Sequence, residues 1–375
     1  MLLGLVVVSC DKGELSKEPT NDITSFQKQS SLFNYIESTH INNGSDCTNN
    51  ILIFPTWDKY WETIDQLDQM IDNDCDAFDA TVPNGISDDD YDALADAAGF
   101  DEDNVLRKFE EDLEFCSLRK KIESLENNWL DQQGDGEWDV NADPDNHFID
   151  DETERALLSY DAEVIIGNKK DGFVYYKFLD DEGNYIEVHN GDNEAISQVS
   201  QGHIPTNNPN VVVQTPVKDE TTGQCKSKVK EVSYEYDIAN GKRLKRISKI
   251  RREFGANYTS QTAIFKSKIK AKTKGYRKKN GRWRARRTWI TAGIGGQVVG
   301  EPGLAYNACD KALDPIYKQK ERRRRRVKVK TTISPFNGAL PQLQYLSVLE
   351  NSLFSLHKQG DVLIINKDFY GMPVN

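Results

Sequence analysis

Apolar residues in the first half of the chain recur at the spacing of an α-helix. The first set follows Thr56, a candidate N-cap, and consists of Trp57, Trp61, Ile64, Leu67 and Ile71. Ser87 is the candidate cap of a second, short helix over residues 88–98, and a third, longer helix is predicted from residue 103 to residue 129. Together these patterns predict a small helical bundle over residues 53–160.

The hydrophobic period changes to two residues in the second half. Alternating runs predict strands over residues 163–167, 172–179 and 185–188. Residues 161–190 are therefore interpreted as a β-hairpin, and residues 191–227, rich in Asn, Gln, Gly, Pro and Thr, as a linker.

Residues 228–375 combine alternating runs with turn signals. Asn240-Gly241 and Asn280-Gly281 are dipeptides typical of hairpin turns, and many short strands favour two packed antiparallel sheets. The predicted fold class is therefore α+β, in which a small N-terminal helical bundle precedes a β-sandwich-like C-terminal domain.

Charge divides the chain sharply. Residues 1–200 carry 47 acidic and 13 basic side chains, whereas residues 201–375 carry 13 acidic and 35 basic ones, so the net charge of -12 conceals an asymmetry. The hydrophobic fraction of 37% excludes a wholly disordered chain, and 25 glycines and 12 prolines exclude a collagen-like one. The helical domain is thus predicted to be acidic and the β domain basic.

A lysine occupies every second position over residues 266–274. In a strand this spacing places the ammonium groups on one face, while Phe265, Ser267, Ile269, Ala271 and Thr273 can face a core on the other side. Like charges on one sheet face repel, so an anion would stabilise the arrangement. The cations predicted to bind a polyanion are Lys266, Lys268, Lys270, Lys272, Lys274, Arg282 and Arg284.

Three partners would neutralise this row of lysines. They are the acidic N-terminal domain of the same chain, anionic lipid head groups or surface polysaccharide, and nucleic acid, which an exported protein rarely meets. The remaining alternative is a solvated face that prevents sheets from associating edge to edge.

The first ten residues have the pattern of an export signal. An apolar run ends at Val7-Val8-Ser9-Cys10, which resembles the lipobox of bacterial lipoproteins, and a polar stretch follows. Acylation of Cys10 would anchor the protein to a membrane without crossing it; a short buried apolar N-terminus is the alternative. Residues 11–52 are predicted to be a tether, and the predicted location is the cell envelope, at the outer membrane or the cell surface.

Five further cysteines follow Cys10, and exported proteins retain disulfides. The pairs Cys75–Cys116 and Cys225–Cys309 are one expectation, and free buried thiols are the other.

The acidic loop after residue 138 is a weak candidate for a calcium site. Its oxygen-bearing residues alternate as in the first half of an EF-hand loop, although Pro144 stands where that loop has glycine. The candidate ligands are Asp139, Asn141, Asp143, Asp145 and Asp150. A loop of Asx turns without a metal is the alternative, and no other cofactor is predicted.

Three segments form a recognisable set: residues 143–149 (DPDNHFI), 155–158 (RALL) and 163–167 (EVIIG). They resemble a family of uncharacterised lipid-anchored envelope proteins of Bacteroidota. The later motifs TKGY (273–276), RWR (282–284) and GIGG (293–296) are similar to the β-rich domain of that family. The resemblance implies an exported, lipid-anchored protein of unknown activity and transfers no functional site.

Local signatures of catalysis are missing from the sequence, including the nucleophile elbow, the H-E-x-x-H metal motif and the phosphate-binding glycine loop. The histidines lie far apart, mostly in polar segments, and are predicted to be exposed: His40, His147, His189, His203 and His357. The predicted function is a binding or structural role at the envelope without catalysis. The alternative is a polysaccharide hydrolase, because two carboxylates suffice for that reaction and need no local motif.

Overall fold

A computed structural model describes residues 33–39, 50–168, 170, 172–179, 185–214, 225–226, 229–237, 240–257, 262–296, 299–300, 311–312, 315–339, 346–349, 353–360 and 362–368. Residues 36–375 form one compact unit, distinct from residues 1–35. Within the described residues, no helix is both long enough and apolar enough to cross a membrane.

Six helices fall in the described part of the first 200 residues. They are α1 (Trp57–Asp79), α2 (Asp88–Ala97), α3 (Asn104–Asp112), α4 (Leu118–Asp131), α5 (Glu152–Leu157) and α6 (Asn193–Ser200). The predicted caps are confirmed, since the hydroxyl of Thr56 accepts from the Lys59 amide and that of Ser87 from the Asp90 amide.

The single long helix predicted over residues 103–129 is wrong. The chain leaves the helical conformation at Glu114, whose φ is 47°, and Ser117 caps a new helix by accepting from the Lys120 amide. The apolar stripe of the sequence therefore belongs to two separate helices, α3 and α4.

The first sheet has six strands in sequence order: β1 (Glu37–Ser38), β2 (Leu52–Phe54), β3 (Glu163–Asn168), β4 (Gly172–Phe178), β5 (Tyr185–Val188) and β6 (Val211–Gln214). Only the β2–β3 pair is parallel, because helices α1 to α5 lie between these two strands in the sequence. Helix α6 buries Ala195 and Val199 against this sheet. Part of the segment predicted to be a linker thus forms α6 and β6.

The basic segment forms two antiparallel sheets of five and four strands. The first, called the basic sheet below, contains β8 (Val229–Asp237), β9 (Lys242–Asn257), β10 (Thr262–Lys279), β11 (Arg282–Ala285) and β16 (Arg326–Ala339). The second, called the glycine sheet, has the order β15 (Ile316–Arg324), β12 (Thr288–Gly296), β18 (Leu353–Gln359) and β19 (Val362–Asp368). Four short strands make a further small sheet: β7 (Cys225–Lys226), β13 (Val299–Gly300), β14 (Lys311–Ala312) and β17 (Leu346–Leu349).

The basic sheet and the glycine sheet share an apolar core. Its buried residues are Ile250, Ile269, Ala271, Ile290, Ala292, Ile294, Val327, Val329 and Leu353. The prediction that Ile269, Ala271 and Thr273 face a core is confirmed. The predicted Asn280-Gly281 turn is also present, since both residues have positive φ, 53° and 77°, as a type I′ hairpin requires. Helices and mostly antiparallel strands together agree with the predicted α+β class.

Candidate functional site: the charged interface

The face of the basic sheet that points away from the apolar core carries a patch of lysines. Cross-strand register places Lys270 between Lys249 of β9 and Lys330 of β16, Lys272 beside Lys328, and Lys274 beside Lys245. Because directly paired residues point to the same side of a sheet, these seven ammonium groups share one face. Such a face is stable only if opposite charges cover it.

Carboxylates of the acidic half cover these lysines. Ammonium-to-carboxylate distances are 2.6 Å for Lys272–Glu152 and 2.7 Å for both Lys274–Glu126 and Lys270–Asp150. Lys245 lies 2.5 Å from Asp143, and Lys249 lies 3.1 Å from Asp150. Lys328 binds Asp68 and Asp151, and Lys330 binds Asp65 and Asp68. We call this set of contacts, together with the arginine pairs described next, the charged interface.

The arginine run that joins β15 to β16 extends the charged interface around the end of the strands. Arg324 contacts Asp79 of α1 at 2.7 Å, Arg323 contacts Asp88 at 3.1 Å, and Arg325 contacts Asp101 at 2.5 Å. Further pairs include Arg322–Asp76, Arg326–Asp103, Arg326–Glu152, Arg287–Asp92 and Arg277–Asp92. The opposite charges of the two halves of the sequence therefore meet across one interface.

Much of the charged interface is buried, and burial strengthens the attraction between its opposite charges. Burial alone would raise the pKa of Glu152, but Lys272 and Arg326 lower that pKa to about 2. Burial acts on Asp103 in the same way, and Arg326 and Arg325 bring its pKa well below the usual range. For Glu102 the effect of burial exceeds that of Arg325, and the pKa is raised.

A cavity of about 300 Å³ lies in the charged interface between α1 and strands β15 and β16. Seven cations line it: Lys272, Lys320, Arg322, Arg324, Arg326, Lys328 and Lys330. Each of them is ion-paired to a carboxylate of the acidic half. The cavity is thus polar but electrically compensated.

Cys75 also lines this cavity as a buried free thiol. Burial raises the pKa of this thiol to about 12, so it is protonated and a poor nucleophile at neutral pH. Cys116 is disulfide-bonded, and the predicted Cys75–Cys116 pair is therefore wrong.

Three of the calcium candidates, Asp143, Asp145 and Asp150, are ion-paired with lysine or arginine side chains. Asp143 binds Lys245, Asp145 binds Arg155 at 2.6 Å, and Asp150 binds Lys249 and Lys270. The carboxylate of Asp139 accepts from the amide of Asn141 in an Asx turn. In the described part of the chain, no group of three or more acidic, histidine or cysteine side chains is placed to hold a metal ion.

The residues predicted to bind a polyanion divide into three groups. Lys270, Lys272 and Lys274 are buried and paired with acidic residues of this chain. Arg284 contacts Asp131, Arg282 is exposed, and Lys268 lines a small cavity beside Asp150 and Asp151. Cys10 and the side chain of Lys266 lie outside the described residues. For the three buried lysines, the partner in the structure is the acidic half of the chain, the first of the three predicted partners.

Sequence reasoning missed two buried polar residues of the β domain. His357, predicted to be exposed, is fully buried in β18, where it contacts Ser248 and Thr273. Arg243 lies over the ring of Trp138 at 3.9 Å and that of Tyr236 at 4.1 Å, and it donates to the carbonyl of Gly136. The sequence gives no signal for the burial of His357, because Ser355 and Gln359 on its face of β18 are more polar than Phe354 and Leu356 on the opposite face.

Comparisons with known proteins give little further information. No protein-family model and no curated protein matches the chain. A solved structure of a DUF4848 family protein from Bacteroides thetaiotaomicron VPI-5482 is similar over 87% of this chain and 96% of that chain, with 11% sequence identity and a TM-score of 0.18. A likeness this weak carries no argument about the fold or the function of this chain.

Proposed function

We propose that the chain is an exported, lipid-anchored protein of the cell envelope, with a binding or structural role and no catalytic activity. In this proposal residues 228–375 form the sandwich-like body, the acidic helices are locked onto it, and a tether before residue 52 connects this body to Cys10.

The observation that supports the non-catalytic role is the charged interface. Catalytic acids, bases and nucleophiles need access to a substrate, whereas here Glu126, Glu152 and Asp145 bind lysine or arginine side chains. The acidic half thus takes the place of the external polyanion that the row of lysines suggested.

The hydrolase alternative requires two carboxylates that face an open cleft. Acidic side chains line the 300 Å³ cavity, but Asp65, Asp68 and Asp72 bind lysines, and Glu152 binds Lys272. We therefore do not propose catalysis there.

The disulfide bond of Cys116 supports export, because disulfides persist in oxidising compartments outside the cytosol. Export is also the premise of the lipid anchor.

Replacing Cys10 tests the anchor. Cells that express Cys10→Ala should release the protein from the membrane fraction, and metabolic labelling with a fatty acid should be lost, because one thiol carries the acyl chains. Cys75→Ala is the matched control, since it removes a buried thiol 65 residues after Cys10 in the sequence. Unchanged membrane fractionation of Cys10→Ala would show that the protein is not anchored in this way.

Retention of the intact protein on heparin tests the internal role of the lysines. Because the acidic half occupies Lys270, Lys272 and Lys274 and the net charge is -12, we expect elution below about 0.15 M NaCl, a concentration that screens only exposed charges. Strong, salt-dependent retention would instead indicate an external polyanion site.

A further inference from the structure

The outer face of the glycine sheet has a composition different from the charged interface. Ile290, Ala292 and Ile294 of β12 point into the core, so the alternate residues Trp289, Thr291, Gly293 and Gly295 point away from it. Register places Tyr317, Gln319 and Glu321 of β15 on one side of this row and Phe354, Leu356 and Lys358 of β18 on the other. We call this surface the aromatic face.

Two exposed rings mark the ends of the aromatic face. Tyr317 is 79% exposed, and its ring lies against Gly295, where a β-carbon would come within 3.5 Å of it. Trp289 is 48% exposed, and the guanidinium of Arg323 lies 5.1 Å from its ring centre. Each ring is thus supported by the protein while much of its surface remains open to solvent.

The separation of the rings selects for an extended ligand. Gly295, which pairs with Tyr317, lies six residues along β12 from Trp289. At about 3.3 Å per residue, the two ends are roughly 20 Å apart. A monosaccharide or other small molecule would reach one ring, whereas a chain molecule would reach both.

Polar and apolar side chains share the space between the rings, since Leu356 of β18 lies over Gly293 and Phe354 pairs with Gly295. Glu321 and Lys358 both pair with Thr291, from opposite sides, so their charges offset one another, and Gln319 adds an uncharged donor and acceptor. Arg323 is already paired with Asp88. The described part of this face therefore offers little net charge to a polyanion or a polycation, and an apolar protein partner would have to desolvate Glu321 and Lys358.

We infer that the aromatic face binds a neutral polysaccharide. The slightly positive C–H groups of pyranose rings stack on the negative faces of Trp289 and Tyr317. Hydroxyl groups between them exchange hydrogen bonds with Gln319, Glu321 and Lys358. This inference deepens the binding role proposed above and rests on it, but it depends on neither Cys10 nor the row of lysines.

Affinity electrophoresis of the intact protein tests this inference. Native gels would contain a β-glucan, an α-glucan, a xylan or an α-mannan, and a gel without polysaccharide is the reference. We expect at least one polymer to retard the protein. Tyr317→Ala should weaken binding to it about tenfold, or about 1.4 kcal/mol, because the ligand would lose a ring on which to stack, and Trp289→Ala should act in the same direction.

Leu125→Ala is the matched control, because Leu125 is 44% exposed on α4, away from this face, and its removal should leave retardation unchanged. Circular dichroism of each variant separates lost binding from lost folding, and the high exposure of Tyr317 makes unfolding of Tyr317→Ala unexpected.

Two outcomes would overturn the inference: no retardation by any of the four polymers, or equal retardation of the wild type and the Trp289→Ala, Tyr317→Ala double variant. Neither outcome affects the membrane fractionation of Cys10→Ala or the elution from heparin, so failure of this inference is distinguishable from failure of the proposed function.

Discussion

Lys272 shows what a buried charge requires of its surroundings. Its side chain is 1% exposed, and its ammonium group donates to Glu152 at 2.6 Å and to the carbonyl of Asp150 at 2.9 Å. Burial lowers the pKa of Lys272, yet the carboxylate of Glu152 opposes that effect. The pair is stable because each charge has the other as a partner, and neither has water as an alternative.

Removing one partner of this pair should be costly. We expect Lys272→Met to lower the free energy of unfolding by about 3 to 5 kcal/mol, because Glu152 would remain charged and buried without its closest cation. Lys320→Met is the control within the same interface, since Lys320 and Asp72 are 28% and 48% exposed, and should cost less than about 1 kcal/mol. Urea denaturation measures both, and equal costs would contradict this account.

His357 is a buried group of a different kind. The Thr273 hydroxyl donates to the carbonyl of Thr291 at 2.6 Å, so it accepts from Nδ1–H of His357 at 2.8 Å. Nε2 lies 3.3 Å from the hydroxyl oxygen of Ser248, whose hydrogen is donated to Ser355 at 2.7 Å. Burial, with a smaller contribution from Arg246, lowers the pKa of His357 to about 3. The neutral ring is therefore part of the folded core.

This histidine should make stability depend on pH. Its unfolded pKa is 6.5 and its folded pKa about 3, so between these values the unfolded chain binds the extra proton. Stability should fall as pH decreases through this window, by up to about 1.4 kcal/mol per pH unit. His357→Gln should remove that part of the slope between pH 6.5 and 4.5, where urea denaturation would be measured. An identical slope in the variant would refute the assignment.

Strand β10 shows why both faces of an element matter. Its alternation predicts that Ile269 and Ala271 face a core, and they do, but the same pattern does not reveal that the lysine face is also buried. The sequence contains no local signal for this, because the partners of Lys270 to Lys274 lie 120 to 148 residues away in the chain. The sequence also did not predict the break between α3 and α4, because the apolar stripe continues across Glu114.

Gly275 marks the closest approach of β10 to the glycine sheet. A β-carbon there would lie 2.6 Å from the Thr288 methyl group and 3.3 Å from that of Ile290. We expect Gly275→Ala to destabilise the protein by about 1 to 3 kcal/mol, because the two sheets would have to separate locally. Gly134→Ala, where the new methyl group meets nothing within 4 Å, is the control. Thermal unfolding of both variants measures this cost. A Gly275→Ala variant as stable as the wild type would show that the two sheets adapt to the added methyl group.

At the level of the full chain, the acidic helices and the basic sheet depend on each other. Besides the ion pairs, Trp129 and Trp138 pack against Tyr234, Tyr276 and Trp283 of the basic sheet. The charge asymmetry and the α+β class were readable from the sequence, and the acidic half was among the predicted partners of the lysines. Which carboxylate meets which cation was not readable, because pairing is set by the tertiary packing of distant segments.

A fragment of residues 53–160 should therefore not fold alone. Without the basic sheet its carboxylates repel one another and its tryptophans lose their partners, so we expect weak helical circular dichroism and no cooperative thermal transition. The whole chain should instead show one transition, in which tryptophan fluorescence and the far-ultraviolet signal change together. A cooperatively melting fragment would show that the helices form an independent domain.

The charged interface also constrains how this sequence can change over generations. Replacing Arg324 alone by an acidic residue would place a second negative charge against Asp79. Exchanging the charges of both residues would restore attraction. Substitutions at such positions are therefore tolerated chiefly in pairs, and related chains should exchange signs at residues 79 and 324 together. Covariation between the two halves would in this way record the interface even where each half alone has diverged.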